Sequence, residues 1–269
     1  MKYYTPLLPG QTWEYAVAAV AAGMRGFEIS YCPSYLKKEE YEAYLELIRR
    51  LKEEAGVDFS VHAPTLDVNL GSPNEKMRQA AQKEVRESLD LARELAASVV
   101  VVHPAPAVLN MPGGEWSKQV SKPAGELAKT QESHLIRSLK DLADYAPDVI
   151  LAVKNLFFPH ELYRSPEDME QLLKAVNRSN VGLTFDAGHA LVAGYEAAAY
   201  LNLLAEHVLH VHLHDNHGIV NERLPLGQGT VDYVGIIQTL KRIGYPGVVN
   251  LKFTLAEPRE FAKYLLQLN

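Results

Sequence analysis

Short apolar runs alternate with longer segments of helical periodicity from one end of the chain to the other. Runs rich in Val, Ile, Leu or Phe predict eight strands, and helical segments separate them. The predicted strands are Lys2–Thr5, Gly26–Tyr31, Asp58–Ala63, Ser98–His103, Val149–Asn155, Val181–Asp186, Val208–Asp215 and Gly247–Thr254. The predicted helices are Thr12–Ala22, Glu39–Ala55, Glu75–Ala97, Ala124–Tyr145, Pro166–Arg178, Tyr195–Glu206, Tyr233–Ile243 and Pro258–Leu268.

Two of these helices carry a start signal. The sequences Ser72-Pro73-Asn74-Glu75 and Ser165-Pro166-Glu167-Asp168 each place a serine before a proline, with an acid three residues after the serine. A serine hydroxyl can accept a hydrogen bond from a free amide of the first turn, and proline fits the first helical position. Ser72 and Ser165 are therefore the predicted caps.

The order of the elements predicts an α/β fold, a single (β/α)8 TIM barrel. Eight strand–helix units in 269 residues match that barrel, which takes about 250 residues. An open doubly wound sheet usually has fewer strands, and no Gly-x-Gly-x-x-Gly motif follows the first strand. No composition break or Pro/Ser-rich linker divides the chain, so residues 1–269 are predicted to form one domain.

The composition narrows the classes of partner. The chain has 27 Lys and Arg against 33 Asp and Glu, a formal net charge of −6, which does not favour phosphate backbones. A single cysteine, Cys32, cannot form an intramolecular disulfide and suits a reducing compartment. No signal-peptide pattern opens the chain, and no apolar run reaches about 18 residues. We expect a cytoplasmic protein that binds neither nucleic acid nor membranes.

Polar residues occur at the carboxyl ends of six predicted strands, where a barrel places its functional groups. Because side chains alternate along a strand, the large apolar residues there should face the helices and their polar neighbours the barrel interior. The inward residues are then His62, His103, Lys154, Asp186, His212 and Lys252. Burying an unpaired polar group costs about 1–3 kcal/mol, so six in one place predict a functional site rather than a packed core.

Five motifs on these strands and the loops after them resemble the xylose-isomerase-like superfamily of TIM barrels. They are Val61-His62-Ala63-Pro64, Val102-His103-Pro104, Phe185-Asp186-Ala187-Gly188-His189, His212-Leu213-His214-Asp215 and Leu226-Gly227-Gln228-Gly229-Thr230. The superfamily includes sugar-phosphate isomerases and epimerases and, more distantly, endonuclease IV. The resemblance covers nearly the whole chain and implies a carbohydrate or sugar phosphate as the ligand. It also allows a homodimer, since dimers are frequent in the superfamily.

The resemblance also implies metal ligands, and here the chain departs from the family pattern. In the isomerase and epimerase branch a divalent metal is held by Glu, Asp, His and Glu on strands five to eight. Asp186 and His212 match the middle pair, but Lys154 and Lys252 occupy both Glu positions. In the endonuclease branch five ligands match, and the same two Glu are missing, as are two ligands of the loop after strand seven. The five matches are His62, His103, Asp186, His189 and His212.

Exchanging two glutamates for lysines changes the local formal charge by +4 and repels a divalent cation. The expectation is therefore a site without a cofactor. A residual zinc, manganese or magnesium site on the matching His and Asp residues is the alternative.

Two inward lysines leave three hypotheses open. In the first, Lys154 and Lys252 supply the positive charge in a sugar (phosphate) isomerase or epimerase, with Asp186 or a histidine such as His212 as the base. In the second, one lysine is neutral and forms a Schiff base with a carbonyl substrate. In the third, the chain is an inactive member, natural or engineered, that only binds a small anion or a partner.

Five side chains are candidate substrate ligands, and two of them are also inward residues named above. His62 and His103 point inward, and Glu28, inward on the second strand, could pair with a lysine. Arg223, in the loop after the seventh strand, could bind a phosphate. Trp116 belongs to the segment Pro104–Lys122, whose glycines and aromatic residue suit either a lid or a packed surface loop.

Overall fold

Eight parallel strands close into a barrel in the computed structural model. It describes residues 1–104, 115–158 and 161–268, with the backbone alone for residues 115–125. The strands are β1 (Lys2–Leu7), β2 (Gly26–Ser30), β3 (Asp58–His62), β4 (Val99–Val102), β5 (Ile150–Lys154), β6 (Val181–Asp186), β7 (Val208–Leu213) and β8 (Val248–Leu251). The helices are α1 (Trp13–Ala21), α2 (Lys38–Arg50), α3 (Glu75–Leu95), α4 (Glu115–Tyr145), α5 (Pro166–Val176), α6 (Ala187–Val192), α7 (Ala197–Leu203), α8 (Tyr233–Arg242) and α9 (Phe261–Leu268).

The strand order confirms the α/β (β/α)8 prediction. Each strand pairs in parallel with the next one along the chain, and β1 pairs with β8, with Tyr4 opposite Asn250, to close the cylinder. All eight predicted strands are present, with ends that differ by up to three residues. Among the described residues, no helix is both long and apolar enough to span a membrane.

Two apolar layers follow from the alternation of side chains. The helix-facing residues pack into one large core with the helices. A small cluster of Val99, Val101 and Ala152 lies apart from that core, inside the barrel. Above this cluster, toward the carboxyl ends of the strands, polar side chains replace the apolar filling. The fold therefore directs the inward residues of β3 to β8 into one polar region.

The predicted helix caps have different outcomes. The Ser165 hydroxyl accepts a hydrogen bond from the Asp168 amide at 3.1 Å, and Pro166 begins α5, as predicted. The prediction for α3 is wrong by two residues, because the Asn74 side chain is the cap and accepts from the Lys76 amide at 3.0 Å. The Ser72 hydroxyl accepts from the Asn74 amide and so forms a local turn before the helix.

The chain after β6 differs most from prediction. The short helix α6 starts directly after Asp186, where the apolar pattern predicts none, and Gly194, with φ of +83°, follows its end. The single helix predicted at Tyr195–Glu206 is instead α7 and a 3-10 turn at Ala205–His207. Helix α4 also starts nine residues before the predicted Ala124. Residues 105–114 of the predicted lid lie outside the described residues.

Candidate active site

The carboxyl ends of the strands bring together the polar residues that alternation places inside the barrel. They are Glu28, His62, His103, Lys154, Asp186, His212 and Lys252. Lys154 is inaccessible to solvent and Lys252 is 6% exposed, whereas His62 and His103 are half-buried. The two lysines thus lie inside the site, with the two histidines toward its opening.

Glu28, on β2, binds three side chains. Its Oε2 accepts hydrogen bonds from His212 Nε2 at 2.8 Å and from His210 Nε2 at 3.1 Å. Its Oε1 accepts a hydrogen bond from Lys252 Nζ. The expected pairing of Glu28 with a lysine is therefore present, and the positive charge of Lys252 has a buried counter-charge.

Asp186, at the end of β6, forms the second buried ion pair. Its Oδ2 lies 2.7 Å from Lys154 Nζ. Its Oδ1 accepts hydrogen bonds from His214 Nε2 at 3.0 Å and from the His189 amide at 2.9 Å, so the same carboxylate caps α6. Each carboxylate of the site is thus paired with one lysine, and the two formal charges of each pair cancel.

Asn155 and Gly188 hold the Asp186 cluster in place. Asn155 Oδ1 accepts from the Asp186 amide at 2.7 Å, and its backbone carbonyl accepts from His189 Nδ1 at 2.8 Å. A Cβ atom at Gly188 would lie 1.9 Å from His214 Cε1. Only glycine at this position therefore allows the His214 ring to reach Asp186.

The half-buried histidines present free ring nitrogens. His62 Nδ1 donates to the Ala63 carbonyl at 2.8 Å, so its Nε2 carries the lone pair. The His62 ring stacks on His212 with centroids 5.8 Å apart and meets the edge of His103 at 5.3 Å. Within the described residues, His103 Nε2 has no hydrogen-bond partner. Both rings can therefore accept a proton or a hydrogen bond from a ligand.

Burial and the lysine charges set the protonation of the site. Burial lowers the pKa of His62 and His103 well below the usual value, with help from Lys252 and Lys154 respectively. Burial also lowers the pKa of His212 to about 4. Burial alone would raise the pKa of Glu28, but His212 and Lys252 outweigh it and hold that pKa well below the usual value. Neutral imidazoles and ionised carboxylates thus coexist at neutral pH.

The loop after β7 forms part of the rim. Asp215 holds this loop, because its Oδ1 accepts from the Val231 amide and its Oδ2 from the Gly227 amide, both at 2.9 Å. A Cβ atom at Gly229 would lie 2.3 Å from the Asn216 carbonyl oxygen, which explains the second glycine of the Leu-Gly-Gln-Gly-Thr motif. Arg223, in the same loop, lines a cavity of about 280 Å³ together with Lys252.

The sequence places His210 and His214 on the inward face of β7 with His212, favours a structural role for His210 and leaves the role of His214 open. In the structure His210 meets Glu28 and His214 meets Asp186. Sequence reasoning left out Asn155. Asn155 makes its hydrogen bonds with the backbone of Asp186 and through its own carbonyl, and no sequence pattern predicts such contacts. His189 lies beside Asp186, whereas the side chain of Trp116 is outside the described residues.

Two groups of side chains in the described part of the chain have metal-ligand spacing. One is Glu28, His62 and His212, and the other is Asp186, His189 and His214, each with its ligand atoms within 4.8 Å of one another. The candidate clusters are therefore present, but each contains one carboxylate, and that carboxylate is ion-paired with a lysine.

Comparison with known proteins finds relatives of this chain both in sequence and in structure. An uncharacterised protein of Methanocaldococcus jannaschii is 32% identical over 213 residues, covering 77% of this chain and 68% of that protein. The crystal structure of a D-tagatose 3-epimerase-like protein superposes with a TM-score of 0.77 at 29% identity, covering 99% of this chain and 96% of the other. The 3-keto-D-glucoside 4-epimerase of E. coli shares the fold at 17% identity, with a TM-score of 0.73 and coverage of 100% and 98%.

The family model for xylose isomerase-like TIM barrels matches residues 16–263, which include all the site residues described above. The order of the motifs, the closed barrel and the site at the carboxyl ends of its strands agree with that match. The chain belongs to the xylose isomerase-like TIM barrel family.

Proposed function

We propose that the chain binds a small carbohydrate and acts as a sugar (phosphate) isomerase or epimerase, with Lys154 and Lys252 supplying the positive charge. The observation that carries the proposal is the pair of buried ion pairs, Lys154 with Asp186 and Lys252 with Glu28, at the carboxyl ends of the strands. Lys252 also lines a cavity. A sugar carbonyl placed there would meet a fixed ammonium group in a largely dry environment.

The residues present do not fit the four-ligand metal site that the family resemblance implies. The two positions expected to hold glutamates carry lysines, and Lys154 Nζ is 2.7 Å from Asp186 Oδ2. At either candidate cluster, a divalent ion would have to displace the lysine that is paired with the carboxylate of that cluster. The proposed chemistry therefore takes no step through a metal.

Lys252 is the better placed of the two lysines to contact substrate. Its side chain is 7% exposed and borders the cavity, whereas the Lys154 side chain is 1% exposed. A hydrogen bond from the Lys252 ammonium would stabilise negative charge as it develops on the carbonyl oxygen. Lys154 would instead hold Asp186 ionised and in place.

His62 is the best candidate for the base. Its Nε2 lone pair is free, its ring is half-buried, and its lowered pKa keeps it neutral at pH 7. Asp186 is less suitable, because Lys154 binds one of its oxygens and the other accepts hydrogen bonds from His214 and the His189 amide. His62 would take a proton from the carbon next to the carbonyl, and Lys252 would hold the resulting enediolate oxygen. Return of the proton to the neighbouring carbon gives the isomer, and protonation by water from the opposite face gives the epimer, the hydroxide then taking the proton from His62.

The Schiff-base hypothesis has weaker support. Burial lowers the pKa of Lys154, and Lys252 adds to that effect, but Asp186 opposes both from 2.7 Å. A neutral, nucleophilic lysine would have to leave its ion pair first. The alternative, a chain that binds the ligand without catalysis, uses the same site. A proton-exchange experiment distinguishes it from the enzyme.

The proposed reaction predicts exchange of a substrate C–H proton with solvent. D-tagatose or D-fructose, incubated with the protein and a chelator in deuterium oxide, should lose its proton signals next to the carbonyl in NMR spectra. Lys252→Gln should slow this exchange by about 100-fold or more, since it removes one preorganised donor to the developing oxyanion.

His62→Gln should slow the exchange by a similar factor and leaves both ion pairs intact, so it is informative even if Lys252→Gln unfolds. Lys76→Gln, an exposed site on α3, is the matched control and should have no effect. Sugar binding without any exchange would contradict the proposed reaction and support the binding-only alternative. No binding would contradict both.

A further inference from the structure

A second, larger cavity adjoins the proposed site. Its volume is about 620 Å³, and Arg164 and Arg223 are among its lining residues. It borders the site at two points. Arg223 also lines the smaller cavity with Lys252, and the Phe157 ring packs against His189 with centroids 4.4 Å apart. A ligand in the site could therefore extend into this cavity.

The lining of the cavity is cationic and apolar. Among the residues that the structure describes, it contains two arginines, one asparagine, five apolar side chains and no acid. This is unexpected in a chain with a formal charge of −6. Three of these apolar side chains are exposed to solvent: Ile219 is 80% accessible, Val220 57% and Phe158 48%. Such a surface fits a ligand with an apolar face and an anionic group.

The two arginines are available to a ligand. In the described part of the chain neither forms an ion pair, and the buried Nε of Arg164 has no hydrogen-bond partner. An unpaired buried donor is unfavourable, and the Arg164 side chain to which it belongs lines this cavity. Guanidinium groups bind phosphate and carboxylate through two parallel hydrogen bonds.

Arg223 is also held in position before any ligand binds. The adjacent residue Leu224 exchanges two backbone hydrogen bonds with Asp215, at 2.8 and 2.9 Å. Arg223 itself has φ of +55°, a left-handed conformation that is unfavourable for a residue other than glycine. The fixed backbone directs this charge to the rim that separates the two cavities.

We infer that the substrate is an anionic sugar, whose phosphate or carboxylate binds Arg164 and Arg223 while its carbonyl end lies at Lys252. The inference rests on the proposed function and names its substrate class. Phe157 and Phe158, with rings 4.1 Å apart, form an apolar wall for the carbon chain between the two ends. The arginines select the substrate, and the lysine end is where it reacts.

The test is a set of calorimetric titrations with defined probes. D-fructose 6-phosphate, D-fructose, D-glucuronate and inorganic phosphate are titrated separately into the unmodified protein at low and high salt. The phosphate or carboxylate sugar should bind about tenfold more tightly or better than D-fructose, and this preference should weaken with salt. The titrations with D-fructose 6-phosphate and D-glucuronate identify which anionic group on the sugar is preferred.

Arg164→Gln and Arg223→Gln should each remove most of that preference, because each removes one of the two guanidinium groups that bind the anion. Arg137→Gln, at an exposed position on α4, makes the same change in net charge and should leave the preference intact. The inference is wrong if no anionic sugar is preferred, or if the preference survives in the Arg164→Gln/Arg223→Gln double variant. In either case D-fructose binding that depends on Lys252 would leave the proposed function standing.

Discussion

The Glu28→Gln variant should be about 3–5 kcal/mol less stable than the unmodified chain in denaturant unfolding, because it breaks a buried ion pair. The Glu28 side chain is fully buried and accepts hydrogen bonds from His210, His212 and Lys252. A glutamine would leave the Lys252 ammonium without a counter-charge. The glutamine NH2 group, a donor, would also point at other hydrogen-bond donors, where the carboxylate oxygen of Glu28 had accepted their hydrogen bonds.

The double variant Glu28→Gln/Lys252→Met separates loss of the ion pair from loss of packing. Removing both charges should recover most of the lost stability, since a buried pair stabilises little relative to neutral residues of similar size. Glu260→Gln is the exposed control. Its carboxylate lies 2.6 Å from Lys263 Nζ with both side chains largely accessible, so its loss should change the stability little. A Glu28→Gln cost no greater than that of Glu260→Gln would contradict the buried pair.

The Lys154→Glu/Lys252→Glu variant should bind a divalent metal much more tightly than the unmodified chain. The two substitutions would restore carboxylates beside Asp186 and His212 and remove two ammonium groups. Each ammonium about 5 Å from a divalent ion repels it by several kcal/mol at an effective dielectric of about 20. The affinity for Mn²⁺ or Zn²⁺ should therefore rise by about 1,000-fold or more, equivalent to about 4 kcal/mol.

Metal affinity is measured by calorimetry, and metal-dependent thermal stabilisation provides a second readout. Without metal the variant should be less stable than the unmodified chain, because the new carboxylates lie close to Asp186 and Glu28. The control Lys38→Glu/Lys76→Glu makes the same change in net charge at exposed positions of α2 and α3. Equal metal affinity in the site variant and this control would show that the two lysines do not occupy the metal-ligand positions.

Residue patterns predicted the barrel and the side chains that enter it, but not how those side chains pair. Eight apolar runs separated by helical segments predicted the barrel, and the two-residue alternation predicted which side chains enter it. The alternation indicates only the face of a strand, so it cannot determine which lysine meets which carboxylate across the barrel. The pairing of Lys252 with Glu28, on β8 and β2, depends on the closure of the cylinder.

The errors have local physical causes. Ser72 and Asn74 are both good helix caps, and the choice between them depends on a turn that the pattern does not reveal. Helix α6 has six residues and is stabilised by the Asp186 cap, so it has too few apolar positions to show a helical period. The cavity with Arg164 and Arg223 joins loops distant in sequence, which no local pattern can indicate.

The most direct test of the central claim is a calorimetric titration of D-tagatose and D-fructose 6-phosphate into protein dialysed against a chelator. The lysine-based site predicts that the affinities in chelator and in added Mn²⁺ or Zn²⁺ agree within about twofold. It also predicts that Lys252→Gln weakens binding in both buffers. Binding that disappears in chelator, returns with the metal and is unaffected by Lys252→Gln would contradict the account.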